Sequence, residues 1–245
     1  MASQFPDALQ PAIDLLGDGA VRHDTALSYE WVAPRAPSPG APPLLVLLHG
    51  YAANEADLLG LVPYLDDRFA VAAARAPHRL GVGSYGWFRV TYAASGPIVH
   101  EGEEGESRTR LAAFLDEIIA RQGIDPRAVY LLGFSQGATL ALGLALTVPE
   151  QVAGVVAIGG RVLREVAASF APAERIRGLE VFAGYGVHDD RVPIGRGRST
   201  CELLRGLGVE LTYREYACGH RISPEMMNAI AAWLRERLAE RAAEG

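Results

Sequence analysis

Ser135 stands between two glycines in Gly133-Phe134-Ser135-Gln136-Gly137, after the apolar run Ala128 to Leu132 and before the apolar run Ala138 to Leu146. The first run has the length of a buried strand, and the second reads as a buried helix. Strand, tight turn and helix are the setting in which a Gly-x-Ser-x-Gly motif lifts a nucleophile out of a sheet. The turn strains the serine backbone, and side chains at its two flanks would collide with the neighbouring strand and helix. A helix starting beside the serine turns free N–H groups toward any negative charge that develops there.

A serine hydroxyl is a weak nucleophile at neutral pH and needs a base, for which an imidazole titrates in the right range. In a parallel sheet ligands gather at the carboxyl ends of the strands, so partners for Ser135 belong in loops that follow strand-like runs. The run Leu179 to Ala183 leads into Gly186-Val187-His188-Asp189-Asp190-Arg191-Val192-Pro193, and the run Val209 to Tyr213 leads into Cys218-Gly219-His220. His220 is the expected base. Asp189 or Asp190 is the expected carboxylate that holds the imidazole in its working tautomer. His188 is the rival base, but it adjoins Asp189 in the chain, where adjacent side chains point apart. His23, His78 and His100 lie before the first strand or in and beside a long loop, and read as surface residues.

The loop His49-Gly50-Tyr51 follows Leu44 to Leu48, the most apolar run of the chain. A loop in this place can give a second N–H donor to an oxyanion, the first coming from the residue after the nucleophile. The expected oxyanion hole is therefore the backbone N–H of Tyr51 with that of Gln136. His49 is expected to close its turn through a hydrogen bond.

The elements that must position these groups are legible as alternation. Strand-like runs at Ala26 to Val32, Leu44 to Leu48, Phe69 to Ala73, Ala128 to Leu132, Val152 to Ile158, Leu179 to Ala183 and Val209 to Tyr213 alternate with helical patterns at Ser107 to Gln122, Gln136 to Thr147, Gly195 to Gly206 and Pro224 to Ala242. Runs without a polar face fit strands covered on both sides, which implies an α/β fold with a doubly wound, mostly parallel sheet and helices on both faces. The stretch Gly81 to Glu106 is too long for a plain connection and carries Tyr85, Trp87, Phe88 and Tyr92, so it is expected to cover something. Within it, the acidic run Glu101 to Glu106 reads as a solvated loop.

The 245 residues, 49% of them apolar, suffice for one sizeable core, so one domain is expected overall, with residues 1–43 as an extension carrying the first strand and a Pro-rich loop and 44–245 as the catalytic region. A net charge of -6 without a basic stripe argues against nucleic acid as a partner. All 23 basic residues are arginine, which rules out a lysine Schiff base or a Ser-Lys pair. Cys201 and Cys218 lack metal-ligand spacing and read as reduced thiols; no metal or cofactor is expected. The first twenty residues have no basic-then-apolar signal pattern and no window has the length of a membrane span, so a cytoplasmic protein without stable membrane insertion is expected.

Leu48-His49-Gly50-Tyr51, Arg75-Ala76-Pro77, Tyr85-Gly86-Trp87-Phe88, Gly133 to Gly137, Gly186 to Pro193 and Gly219-His220 together resemble the phospholipase/carboxylesterase family of α/β-hydrolases, which includes acyl-protein thioesterases. The resemblance covers about Leu44 to Leu238. It implies an α/β-hydrolase fold and selects Asp189 over Asp190, because the family's Gly-x-x-Asp-x-x-Val-Pro pattern falls on Gly186, Asp189, Val192 and Pro193. It also implies that Trp87, Phe88 and Val192 border the substrate pocket, although a core role is nearly as good a reading of Phe88. Ala138 departs from the family, many of whose members have a third glycine there.

The implied activity is hydrolysis of small carboxylic esters, lysophospholipids or acyl thioesters through an acyl-Ser135 intermediate. A small-molecule ester is the expected partner, and a homodimer is consistent with some members. The aromatics of Gly81 to Glu106 favour a short or aromatic acyl group. A dienelactone-type lactonase normally has cysteine at the elbow, where this chain has Ser135. A perhydrolase would use the same groups with peroxide in place of water, and a non-catalytic receptor would not need them.

Overall fold

A computed structural model describes residues 19–93, 96–100 and 102–244. The expectations for the first eighteen residues therefore lie outside the described residues. The chain opens with β1 (Tyr29–Val32) and β2 (Leu44–Leu48), followed by a 3-10 segment, Glu55–Tyr64, and β3 (Ala70–Ala74). Two short hairpins come next: β4 (His78–Gly81) with β5 (Ser84–Gly86), and β6 (Val90–Ala93) with β7 (Gly96–Val99). Then α1 (Glu103–Gln122), β8 (Val129–Phe134), α2 (Gln136–Thr147) and β9 (Gly154–Ile158) alternate. A 3-10 segment at Arg164–Ser169 and the short α3 (Ala173–Ile176) lead to β10 (Glu180–Gly186), α4 (Ile194–Gly206), β11 (Glu210–Tyr216) and α5 (Pro224–Glu244).

Seven strands form the central sheet in the order β1-β3-β2-β8-β9-β10-β11. All neighbours in it are parallel except β1, which runs antiparallel to β3 at one edge. The first strand is thus part of the central sheet.

The runs without a polar face are explained by two cores, one on each side of the sheet. Leu44, Val46 and Leu48 point into a core with α1, α2 and α4, while Leu45 and Leu47 point into a second core with the 3-10 segment Glu55–Tyr64 and α5. Every residue of β2 is buried, and side-chain alternation sends successive residues to opposite faces. Such strands have no solvent face to mark with polar residues.

Two parts of the Gly81 to Glu106 stretch differ from the sequence reading. It holds the end of one hairpin and the whole of a second, with strands of three or four residues that are too short to register. The acidic run is no solvated loop, because Glu103, Glu104 and Glu106 form the first turn of α1, where carboxylates meet the positive end of the helix; Glu101 lies outside the described residues. Glu103 and Glu104 are buried. Glu103 accepts the main-chain N–H of Arg89 at 2.7 Å and pairs with its guanidinium, so α1 holds the chain that leads into the second hairpin.

Candidate active site

The serine elbow joins β8 to α2. Ser135 has φ 55 and ψ -112, one of two non-glycine residues with positive φ among the described residues. Its N–H donates to Ile158 O on β9 at 2.7 Å, which fixes the turn to the neighbouring strand. The flanking glycines are required by close approach: a Cβ on Gly133 would lie 2.4 Å from the Ala138 nitrogen, and one on Gly137 would lie 2.0 Å from the Leu48 oxygen. Strain of this kind persists only where the surroundings over-determine it.

Ser135 Oγ lies 2.9 Å from His220 Nε2, and His220 Nδ1 lies 2.6 Å from Asp189 Oδ2. An ionised carboxylate only accepts, so the imidazole proton sits on Nδ1 and Nε2 is left free to take a proton from the hydroxyl. Asp189 is buried, and its other oxygen accepts the N–H groups of Arg191 at 2.8 Å and Val192 at 2.7 Å. His220 is also fixed by packing: Phe134 lies 4.8 Å away ring to ring. Gly159 sits beneath it, where a Cβ would come within 3.3 Å of the ring. The two loops are stitched together by His188 N–H to Cys218 O at 3.0 Å and Val187 N–H to Tyr216 O at 2.8 Å. His188 itself is exposed, and the Asp190 side chain is 84% exposed, so neither joins this cluster.

Tyr51 follows β2 on the same rim. No main-chain acceptor among the described residues takes its N–H or that of Gln136. The loop before it is braced by His49, whose Nδ1–H donates to Gly50 O at 2.7 Å and whose Nε2 accepts from Ala76 N–H at 3.1 Å. Burial pushes the His49 pKa from 6.5 down to about 4, against the opposing hydrogen bond to Gly50, so the ring is neutral and its tautomer fixed. Next door, Glu55 is buried and pairs with Arg75. Burial works most strongly against the Glu55 charge, but the Arg75 hydrogen bonds, a hydrogen bond from its own main-chain N–H and the Arg75 charge together outweigh it and hold the carboxyl below its ordinary range. Arg75 also lies over the Tyr85 ring at 4.8 Å and so ties this loop to β5.

The aromatic pair differs from its expected place on a pocket wall. Trp87 is completely buried and Phe88 is 4% exposed, so both belong to the core and Trp87 offers no surface to a ligand. The reason is a set of hydrogen bonds that draws the segment inward. The Trp87 indole N–H donates to His49 O at 2.9 Å, its carbonyl accepts from Ser107 Oγ, and its main-chain N–H donates to Gln136 Oε1 at 2.7 Å. Val192 is half-buried beside Asp189.

The side chains of Gln136 and Ser107 were missed by sequence reasoning. For Gln136 the available signal was a polar side chain at the first position of a mostly apolar helix. No group of three or more His, Cys, Asp or Glu among the described residues could hold a metal ion, and no helix among them is long and apolar enough to cross a membrane. Cys201 and Cys218 are free thiols, both buried.

The family described as Phospholipase/Carboxylesterase matches residues 32–238. Acyl-protein thioesterase 1 of Gibberella zeae is 33% identical over 119 residues, 47% of this chain and 51% of that protein. A probable carboxylesterase, SOBER1-like, of Arabidopsis thaliana is 29% identical over 127 residues, 51% of this chain and 48% of its own. The chain spans about half the length of the curated relatives it matches. Among solved structures, esterase PE8 superposes with a TM-score of 0.76 at 28% identity, covering 86% of this chain and 98% of that one. A carboxylesterase from Mesorhizobium loti gives a TM-score of 0.76 at 23% identity, covering 88% and 98%, and shares the fold.

Proposed function

Because the chain belongs to the phospholipase/carboxylesterase family and has an α/β-hydrolase fold, we propose that it is a serine carboxylesterase that cleaves small carboxylic esters through an acyl-Ser135 intermediate. The observation that carries this reading is the 2.9 Å contact between Ser135 Oγ and His220 Nε2, the ring nitrogen opposite the one that meets Asp189 at 2.6 Å. His220 takes the hydroxyl proton as Oγ attacks the carbonyl carbon. The carbonyl oxygen, now negative, faces the N–H groups of Tyr51 and Gln136. Donors aimed at that charge are worth about 3 kcal/mol each.

Collapse of the tetrahedral species expels the alcohol, which takes the proton back from His220. Water then repeats the sequence on the acyl-serine, with His220 again as base. Asp189 stays ionised throughout, holding the Nδ1 proton and stabilising the imidazolium. The names of the relatives leave oxygen esters and acyl thioesters both open for this chain; a small ester is our reading because Trp87 and Phe88 fill the core and line no long acyl channel.

The test is a fluorophosphonate probe with a panel of butyrate and palmitate esters and a matched thioester. Labelling at Ser135, abolished in Ser135→Ala, with butyrate hydrolysed fastest, is expected. A folded protein that neither labels nor turns over any of them would overturn the reading.

A further inference from the structure

Arg161 lies two residues beyond Gly159, the glycine that packs beneath the His220 ring. Its N–H donates to Thr139 Oγ1 at 3.2 Å, and that hydroxyl donates in turn to Ser135 O at 3.2 Å. The residue is therefore tied both to the imidazole side of the site and to the helix that carries the serine. Its side chain is half-buried, yet among the described residues no carboxylate and no carbonyl oxygen takes the guanidinium. Three other half-buried arginines are paired with carboxylates, Arg75 with Glu55, Arg108 with Glu104 and Arg237 with Glu180, and a fourth, Arg241, bonds the Tyr130 hydroxyl.

Arg161 feels two charged neighbours, a second cation and a carboxylate. Arg196, in the first turn of α4, repels it, and Arg196 likewise has no carboxylate partner among the described residues. Burial first, and then this repulsion, pull the Arg161 pKa below the ordinary arginine value; Glu165 offsets part of the repulsion without coming within ion-pair distance. Arg68, Arg75, Arg89 and Arg198 are shifted the other way, each by a hydrogen-bonded carboxylate. Partly desolvating a guanidinium and setting it beside a second one costs stability unless an anion completes the site. Among the described residues the one carboxylate felt at Arg161, Glu165, forms no ion pair with it. Arg196 enters from the helix that directly follows the Asp189 loop, and Arg161 follows the carboxyl end of β9, so the main chain of both stands at the rim that carries the serine.

We propose that Arg161, assisted by Arg196, receives a carboxylate carried by the ester substrate, so that the preferred substrates are half-esters of dicarboxylic acids or esters of carboxylated alcohols. This rests on the serine esterase reading above. The planar guanidinium matches a carboxylate with two parallel N–H donors, and burial strengthens that contact.

Two matched pairs test it. Ethyl hydrogen glutarate against its ω-amide puts the charge on the acyl side, and para-carboxyphenyl butyrate against para-carbamoylphenyl butyrate puts it on the leaving group. In one pair the carboxylate is expected to show a kcat/KM at least about tenfold above its amide. Arg161→Gln should erase that preference, lowering kcat/KM on the carboxylate tenfold or more and on the amide far less. Arg161→Lys should restore part of it. Arg196→Gln, at an exposed position safe for folding, should reduce the preference about threefold. Amides cleaved as fast as carboxylates in both pairs by the unaltered enzyme, or equal loss on both members in Arg161→Gln, would overturn the assignment while leaving the esterase intact. Failure to cleave any of the four would instead remove the esterase reading, and this one with it.

Discussion

The Gln136 side chain accepts the main-chain N–H of Trp87 at 2.7 Å through Oε1 and donates to the Phe88 carbonyl at 2.6 Å through Nε2. The residue whose backbone N–H faces the proposed oxyanion thus also holds, with its side chain, the segment between the two hairpins. Replacing it by leucine strands two buried main-chain groups, each costing about 1–3 kcal/mol. Gln136→Leu is expected to lower the denaturant midpoint by an amount equivalent to roughly 2–6 kcal/mol and to raise KM more than it lowers kcat. An unchanged midpoint would show that the clamp is not needed.

Asp189 and Asp190 are neighbours in the chain with opposite surroundings. Asp189→Asn should cut kcat by about 10³–10⁴-fold with the fold intact, because the amide no longer enforces the Nδ1–H tautomer. Asp190→Asn, altering a side chain 84% exposed, should change kcat less than twofold, about the size of a surface effect. Steady-state kinetics on butyrate esters with circular dichroism as the fold control decide between them, and comparable losses in both would refute the assignment.

At Gly137 a methyl group has no room, since the added carbon would lie 2.0 Å from the Leu48 oxygen on the adjacent strand. Gly137→Ala must therefore push α2 away from β2 or fail to fold. A loss above about 3 kcal/mol, or no soluble protein, is expected, as for overpacking that the backbone cannot relax. Gly206→Ala, where nothing lies within 4 Å, is the control and should be neutral or mildly stabilising.

His49 links stability to pH. Its folded pKa is about 4 against 6.5 when unfolded, so between those values the unfolded chain binds the extra proton. The contribution of neutral His49 is complete above about pH 6.5 and is lost as pH falls toward 4, a change of about 3 kcal/mol. Denaturation followed at half-unit steps should show this decline, and its slope should flatten in His49→Gln. A slope of the same size in that variant would place the proton elsewhere.

Much of the fold could be read because its physics is local. The Leu44 to Leu48 run announces a strand covered on both faces, and the alternation of such runs with helical patterns announces the parallel sheet. The hairpins were not legible, since three- and four-residue strands such as Ser84–Gly86 carry too few residues to show alternation. The start of α1 was hidden because glutamates in a first helical turn have the same composition as a solvated loop. At the candidate site the order of serine, acid and histidine was legible, but Asp189 and Asp190 could not be separated from spacing alone. What distinguishes them is tertiary: the N–H groups of Arg191 and Val192 and the His220 ring all converge on the first. The buried placement of Trp87 was likewise invisible, since it depends on hydrogen bonds from residues 38 to 49 positions away.

Ser135, Asp189 and His220 all hang from the parallel strands β8, β10 and β11, whereas the second hairpin, Val90 to Val99, lies outside the central sheet. The proposed cleavage machinery and the hairpin are separate pieces of architecture, joined through Trp87, Phe88 and Arg89. A chimaera that exchanges the hairpin between relatives would therefore keep its chemistry if the crossover points fall after Arg89 and before Glu103. A junction even two residues earlier would exchange Phe88 and Arg89 as well, and with Arg89 the Glu103 pair that anchors this stretch to α1 and steadies the backbone that Gln136 grips.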